Sequence, residues 1–267
     1  MSQRPGRARR AAAGLHVVFV IWRIHVKLYL ASPFEGFLNI VWPLFFAAMA
    51  FLIDDATGNH VIMRYTLFGI AAMGVWSSVA VSGSSLLQHA RWGGMLELIV
   101  AAPRSFSLIL ASMTLALETT AVFSFAATLI MARYLFGIPV RIDDPALFIV
   151  AVVLTMIAMG MFGFVLAVSA VRYRSAWVIG NVLEYPGWIL CGFLVPLALL
   201  PAWAHPVSDV LAPTWGIEAM RAAAGGQSPW TGLLICGALA VAYVCAGVLI
   251  ARAVVQSARV HATLALS

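Results

Sequence analysis

Residues 145–170, PALFIVAVVLTMIAMGMFGFVLAVSA, carry no charged side chain, and Asp144 stands directly before them. A helix needs roughly 20 consecutive apolar residues to cross the hydrocarbon core of a bilayer. This stretch exceeds that length, and its first residues carry a helix signal, a capping acid followed by proline at the first helical position. Reading it as a membrane span decides the fold class. The rest of the chain agrees: of 267 residues 63% are hydrophobic and only 10% charged, against about 25% charged in soluble domains. The expectation is an all-α polytopic membrane protein, one transmembrane domain over 1–267, with little left for a soluble domain.

Working outward from that span, the loop FGIPVRIDD separates it from an earlier span at 105–132. Two more precede it. One is 36–53, closed by Asp54-Asp55 and the turn-like Thr57-Gly58-Asn59; the other is 61–88, whose polar SGSSLLQH end runs beyond the hydrocarbon. Downstream, 177–197 is a fifth span and 229–251 a sixth, opened by Ser228-Pro229, a repeat of the cap-plus-proline signal. The bundle thus occupies 36–251, followed by a short polar tail, 252–267.

The first ten residues carry four arginines and no acid, which predicts a disordered basic tail over 1–14. No small-residue cleavage site follows an apolar core, so a signal peptide is not expected. Residues 15–32 come next. At 100° per residue His16, Arg23 and Lys27 fall within about 40° of one another, with apolar residues around the rest. Two cations near the end of so short a run predict an interfacial helix on the inner leaflet. The alternative, a short first transmembrane helix, would place the basic tail outside. With both termini in the cytoplasm, the cytoplasmic segments hold the tail arginines, Arg23, Lys27, Arg91, Arg104, Arg172, Arg174, Arg252 and Arg259, as the positive-inside rule asks. Asp54-Asp55, Asp143-Asp144, Asp209 and Glu218 then fall outside. The place this predicts is a cytoplasmic membrane.

Several functions are excluded. The formal charge of +6 marks cytoplasmic loops and lipid headgroup contacts rather than nucleic-acid binding. The single lysine, Lys27, lies in IHVK, so no G-x-x-x-x-G-K-[ST] phosphate loop exists and nucleotide-driven work needs another chain. Cys191, Cys236 and Cys245 lie in apolar runs without C-x-x-C spacing and read as small buried hydrophobes. The six histidines are scattered, with no zinc-ligand spacing.

Two stretches stand apart from the spans. LVPLALLPAWAHPVSDVLAPTWGIEAMRAAAGG has too many prolines for one helix and is too apolar for a plain solvent loop. It predicts short helices dipping back into the outer leaflet between spans five and six, within 198–224, at 198–205 and 213–224. Trp203 and Trp215 would sit at headgroup depth. In RWGGMLELIVAAPR, residues 91–104, the spacing puts Met95, Leu98, Ile99 and Ala102 on one face of a helix over 91–102. Gly93-Gly94 permits a tight bend and Pro103 ends the helix. Its charged residues, Arg91 and Glu97, point to water or to a cytosolic partner; an ordinary surface helix is the plainer alternative.

GMLELIVAAP resembles the G-T-L-E-x-L-x-x-x-P segment of the type-2 ATP-binding-cassette permeases, the transmembrane subunits of many bacterial exporters. LVPLALLPAWAHPVSDVLAPTWGIEAMRAA is similar to the P-x-x-x-L-P-x-W…P-x-x-x-x-[EA]-x-x-R segment of that family. Met95 departs from the usual Thr. The resemblance implies a non-catalytic bacterial inner-membrane permease with no cofactor of its own, ATP and Mg being held by partner ATPase subunits, and with a second permease, identical or homologous. It implies that Gly94, Leu96, Glu97 and Pro103, with Arg91 beside them, form the element that couples to the ATPase. It also implies that the 15–32 helix touches the ATPase. Pro201, Trp203, Pro213, Trp215, Glu218 and Arg221 would belong to an external gate.

Glu118 and Glu184 fall inside spans, where a lipid-facing carboxylate costs a few kcal/mol. Each must face a helix, an interface or a polar cavity, so each either lines the translocation route, with Pro186 kinking the helix nearby, or bonds structurally. The leading functional expectation is export of a lipophilic or amphipathic compound, such as a drug, a lipid or a lipid-linked glycan. The alternatives are an intramembrane lipid-modifying enzyme, with Mg²⁺ on the aspartate pairs, and a non-transporting scaffold or channel subunit.

Overall fold

The structure, a computed structural model, describes residues 7–31, 33–56, 60–84, 86, 94, 105–170 and 176–261. Every regular element among these residues is helical, as lipid requires of a backbone that finds no water partners. The longer helices are α1 (Arg7–Ala31), α2 (Pro33–Ala56), α3 (His60–Ser77), α4 (Phe106–Tyr134), α5 (Pro145–Ala170) and α6 (Ala176–Leu190). They are followed by a 3-10 turn (Leu197–Leu199), α7 (His205–Val210), α8 (Ala212–Ala224) and α9 (Trp230–His261). Each segment read as a span holds a helix, though not always to its full expected length. Four are long and apolar enough by themselves to cross a membrane: Tyr65–Gly83, Phe106–Tyr134, Pro145–Ala170 and Trp230–Val254.

The stretch that decided the fold class forms α5 with the expected bounds, and the Leu147 N–H donates to the Asp144 carboxylate at 3.0 Å. Other boundaries differ from expectation for local reasons. The basic tail is helical from Arg7, because Ala8 and Ala11–Ala13 are strong helix formers and arginine is tolerated among them. Helix α6 stops at Leu190, short of 197, where Gly192 takes a φ of 70° and turns the chain. In the proline-rich segment the second short helix matches α8, but the first lies at His205–Val210 instead of 198–205. Pro206 suits the first turn of a helix, whereas Pro201 would have fallen inside one. Helix α9 continues to His261, so part of the expected polar tail is helical.

Helix α3 is the axis of the bundle. Met63 and every residue from Thr66 to Trp76 are buried, and the helix continues as a π-helical segment, Ser78–Gly83. Helix α6 lies on it through two glycines. A side chain at Gly187 would meet the Trp76 indole, and one at Gly180 would meet the Ala80 carbonyl and the Ser84 hydroxyl. The Trp76 indole in turn donates to the Glu184 carbonyl at 3.1 Å and stacks on Phe162.

The two ends of the bundle collect different points of the chain. Leu86, Phe106, Leu110, Val168 and Ala251 share one apolar cluster, so the end of α3, the start of α4, the end of α5 and the later turns of α9 meet there. Tyr65, Pro139, Pro196 and Pro229 line one cavity, which gathers the start of α3, the end of α4, the chain after α6 and the start of α9. That alternation is what consecutive antiparallel crossings produce.

Helix α1 lies against α4. The Trp22 indole donates to the Thr119 hydroxyl at 2.9 Å, midway along α4, and Ile21 and Tyr29 pack on the Phe106–Leu117 cluster. His16, Arg23 and Lys27 are exposed, as the periodicity predicts, but so are Ile24 and Leu28.

Candidate functional site

Helix α8 begins with Pro213 in its first turn, where no N–H is needed, and closes on Arg221 in its last. Small residues let it sink between its neighbours. A side chain at Gly216 would collide with Thr155 of α5, and one at Gly232 of α9 would meet the Trp215 carbonyl. The Tyr243 hydroxyl fixes the start of α8, donating to the Val210 carbonyl at 2.6 Å and accepting from the Ala212 N–H at 3.1 Å. At the other end, the Asp143 and Asp144 N–H groups donate to the Ala224 and Ala223 carbonyls, both at 3.2 Å. The helix is thereby tied to α5, α9 and the loop before α5.

Arg221 adds a third attachment. Its Nε donates to the Tyr65 carbonyl and its Nη2 to the Gly192 carbonyl, both at 2.8 Å, and the guanidinium lies 3.6 Å over the Tyr65 ring. The left-handed turn at Gly192 brings that carbonyl within reach. Burial lowers the Arg221 pKa to about 10, so the group remains a cation at neutral pH. Beside it opens a cavity of about 1390 Å³, whose wall includes Tyr65, Arg141, Asp143, Thr214, Glu218 and Arg221. Arg141 and Asp143 form an ion pair at 2.8 Å.

The expected external gate is thus divided. Glu218 and Arg221 come together at the cavity, Pro213 is buried in α8, and the Trp215 indole donates to the Asp209 carbonyl at 2.9 Å. Pro201 and Trp203 lie apart on the exposed segment before α7. Of the expected coupling residues, Arg91, Leu96, Glu97 and Pro103 lie outside the described residues. Gly94 is an exposed turn residue with a φ of 65°, a conformation open to glycine at no steric cost.

The two carboxylates that the sequence places inside spans occupy different seams, and neither is in the cavity wall. Glu118 of α4 is buried over Gly160 of α5, and its Oε2 has no hydrogen-bond partner among the described residues. Glu184 of α6 is buried against α3 within hydrogen-bonding reach of Ser77, and Pro186 lies exposed on the next turn. Asp143 and Asp144 are engaged in local structure, the first with Arg141 and the second as the cap of α5. That use fits poorly with a metal-binding pair.

Tyr65 and Gly192 were not singled out by the sequence, because each contributes a carbonyl, which every residue carries. The one available signal was compositional: an aromatic at the start of a span, and a glycine four residues before Pro196.

No curated protein matches this sequence. The family model for ABC-2 type transporters matches residues 16–224, from α1 through the whole of α8 and well over half of the chain, and the chain belongs to that family of transmembrane permeases.

Proposed function

We propose that the chain is the membrane subunit of an ATP-driven exporter and forms the pathway for a lipophilic or amphipathic compound. It spans the membrane six times with both termini in the cytoplasm, and works with cytosolic ATP-binding-cassette ATPases and a second permease. The observation that carries this reading is the family match over 16–224 in a chain whose single lysine, Lys27, cannot complete a phosphate loop. In this reading the ATPase is a separate chain, so the force enters through a surface that the partner can push.

Residues 91–102 are that surface in this proposal, with Glu97 as a contact to the ATPase. The 198–224 segment closes the opposite end, and Trp203 and Trp215 sit at headgroup depth. Glu97→Arg should leave insertion and yield intact while lowering transport-coupled ATP hydrolysis by roughly tenfold or more, as expected for a charge reversed in a tight contact. The measurement is ATPase activity of the co-reconstituted subunits in liposomes. Wild-type coupling in that variant would remove Glu97 from the interface, and failure of tagged protein to retain any ATPase would remove the exporter reading itself.

A further inference from the structure

We propose that the cavity beside α8 binds a phosphate-bearing headgroup, held by the guanidinium of Arg221. This goes beyond the export reading and does not depend on it.

The argument starts from an unbalanced charge. A guanidinium offers five N–H donors in a rigid fork. In Arg221 two are engaged, on the carbonyls of Tyr65 and Gly192. Carbonyls satisfy hydrogen bonds but neutralise no charge. Among the described residues no carboxylate lies within ion-pair distance of Arg221, whereas the more exposed Arg141 has taken Asp143 as its partner. A largely buried cation whose nearest carboxylate, Glu218, stays beyond ion-pair distance is costly, and its remaining N–H donors are free to meet an anion that enters the cavity.

The surroundings say what kind of anion fits. Arg221 is itself part of the cavity wall, together with the polar side chains of Thr214, Ser228 and Thr231. Phe68 and Leu197 supply apolar wall. At about 1390 Å³ the space exceeds a typical small-molecule pocket of roughly 300–1,000 Å³. It has room for a headgroup and the first methylenes of its tails. Arginine's planar fork matches phosphate oxygens in pairs, which favours phosphate over an isolated halide or hydroxyl. Glu218, one turn before Arg221 and also in the wall, is the local competitor: its negative charge opposes the entry of an anion.

A phospholipid of the bilayer and a phosphorylated solute offer the same chemistry, so the test separates them. Full-length protein in a neutral detergent is titrated calorimetrically with dihexanoyl-phosphatidylglycerol, with uncharged dihexanoylglycerol and with inorganic phosphate. The charged lipid should bind saturably, roughly tenfold or more tighter than the uncharged one, the scale of one charge-assisted bidentate contact. Competition by inorganic phosphate would place the recognition in the phosphate alone. Its failure to compete would assign the site to a lipid.

Arg221→Gln should abolish the preference for the charged lipid, but it also removes two structural bonds. Glu218→Gln leaves those bonds in place and should tighten phosphatidylglycerol binding by about threefold, a modest screened-charge effect. Equal affinity for the charged and uncharged lipids overturns the proposal. So does a Glu218→Gln protein with unchanged or weaker affinity for phosphatidylglycerol.

Discussion

Helices α3 and α9 both meet the length and apolarity of a membrane crossing, yet 78% of the span-forming stretch of α3 is buried in protein against 22% for α9. The buried helix is the less apolar of the two. In water the order would be reversed, because burial there follows hydrophobicity. Lipid tails are as apolar as leucine, so helices associate instead through close packing and hydrogen bonds. Helix α3 offers both, through the Trp76 indole and the π-helical Ser78–Gly83 that receives α6. Helix α9 turns Leu234, Val241, Val244 and Leu249 outward, where any apolar residue serves.

The comparison breaks most readily at Trp76. Trp76→Ala removes a fully buried ring together with its bond to the Glu184 carbonyl and its stack on Phe162. The expected cost is about 4 kcal/mol, the scale of an aromatic cavity. Reversible unfolding in mixed micelles measures it, and a cost under about 1 kcal/mol would mean that α3 is not the axis of the bundle. A smaller effect should come from adding bulk at the α3–α6 contact. Gly187→Leu forces the Trp76 side chain or all of α6 aside, for about 2 kcal/mol of overpacking. Gly237→Leu on α9, where among the described residues the Leu154 side chain alone comes within 4 Å, should change stability by under about 0.5 kcal/mol. Equal losses from the two glycine variants would erase the distinction between the helices.

Helix α1 sharpens the comparison as an intermediate case. It exposes Arg23, Lys27 and several apolar residues, and meets α4 through a side-chain hydrogen bond, Trp22 to Thr119, and through apolar contacts. Trp22→Phe keeps most of the ring and removes the donor, so stability should fall by about 1 kcal/mol. Protease accessibility of α1 should rise without any change at α3. Undiminished protection of α1 would show that packing alone seats it.

The expected sites were legible to unequal degrees. Helix α5 could be read to the residue, because an acid, a proline and an uncharged run are all local signals. Helix α8 was legible for the same reason, through Pro213. The end of α6 was not, since apolarity continues to Val195 and the stop depends on how Gly192 turns. Arg221 and Glu218 were identified as gate residues from a motif resemblance. The sequence could not indicate that Arg221 grips two carbonyls, for its partners lie 156 and 29 residues away. Nor could it distinguish the surroundings of Glu118 and Glu184. Both are carboxylates amid apolar residues, but one sits over a glycine of α5 and the other beside Ser77 of α3.

Composition and periodicity by themselves determined that this is a helical membrane protein, where α5 begins and ends, and that the sequence holds no phosphate loop. Those properties depend on residues within a few turns of one another, and on a solvent that forces each span to satisfy its own backbone. Only the tertiary structure decided which helix is central, which carbonyls receive Arg221, and that a cavity opens beside that cation. In lipid nearly every span is apolar enough to face either way. Close contacts between distant segments, a glycine under Trp76 and another carbonyl at Gly192, choose among the arrangements.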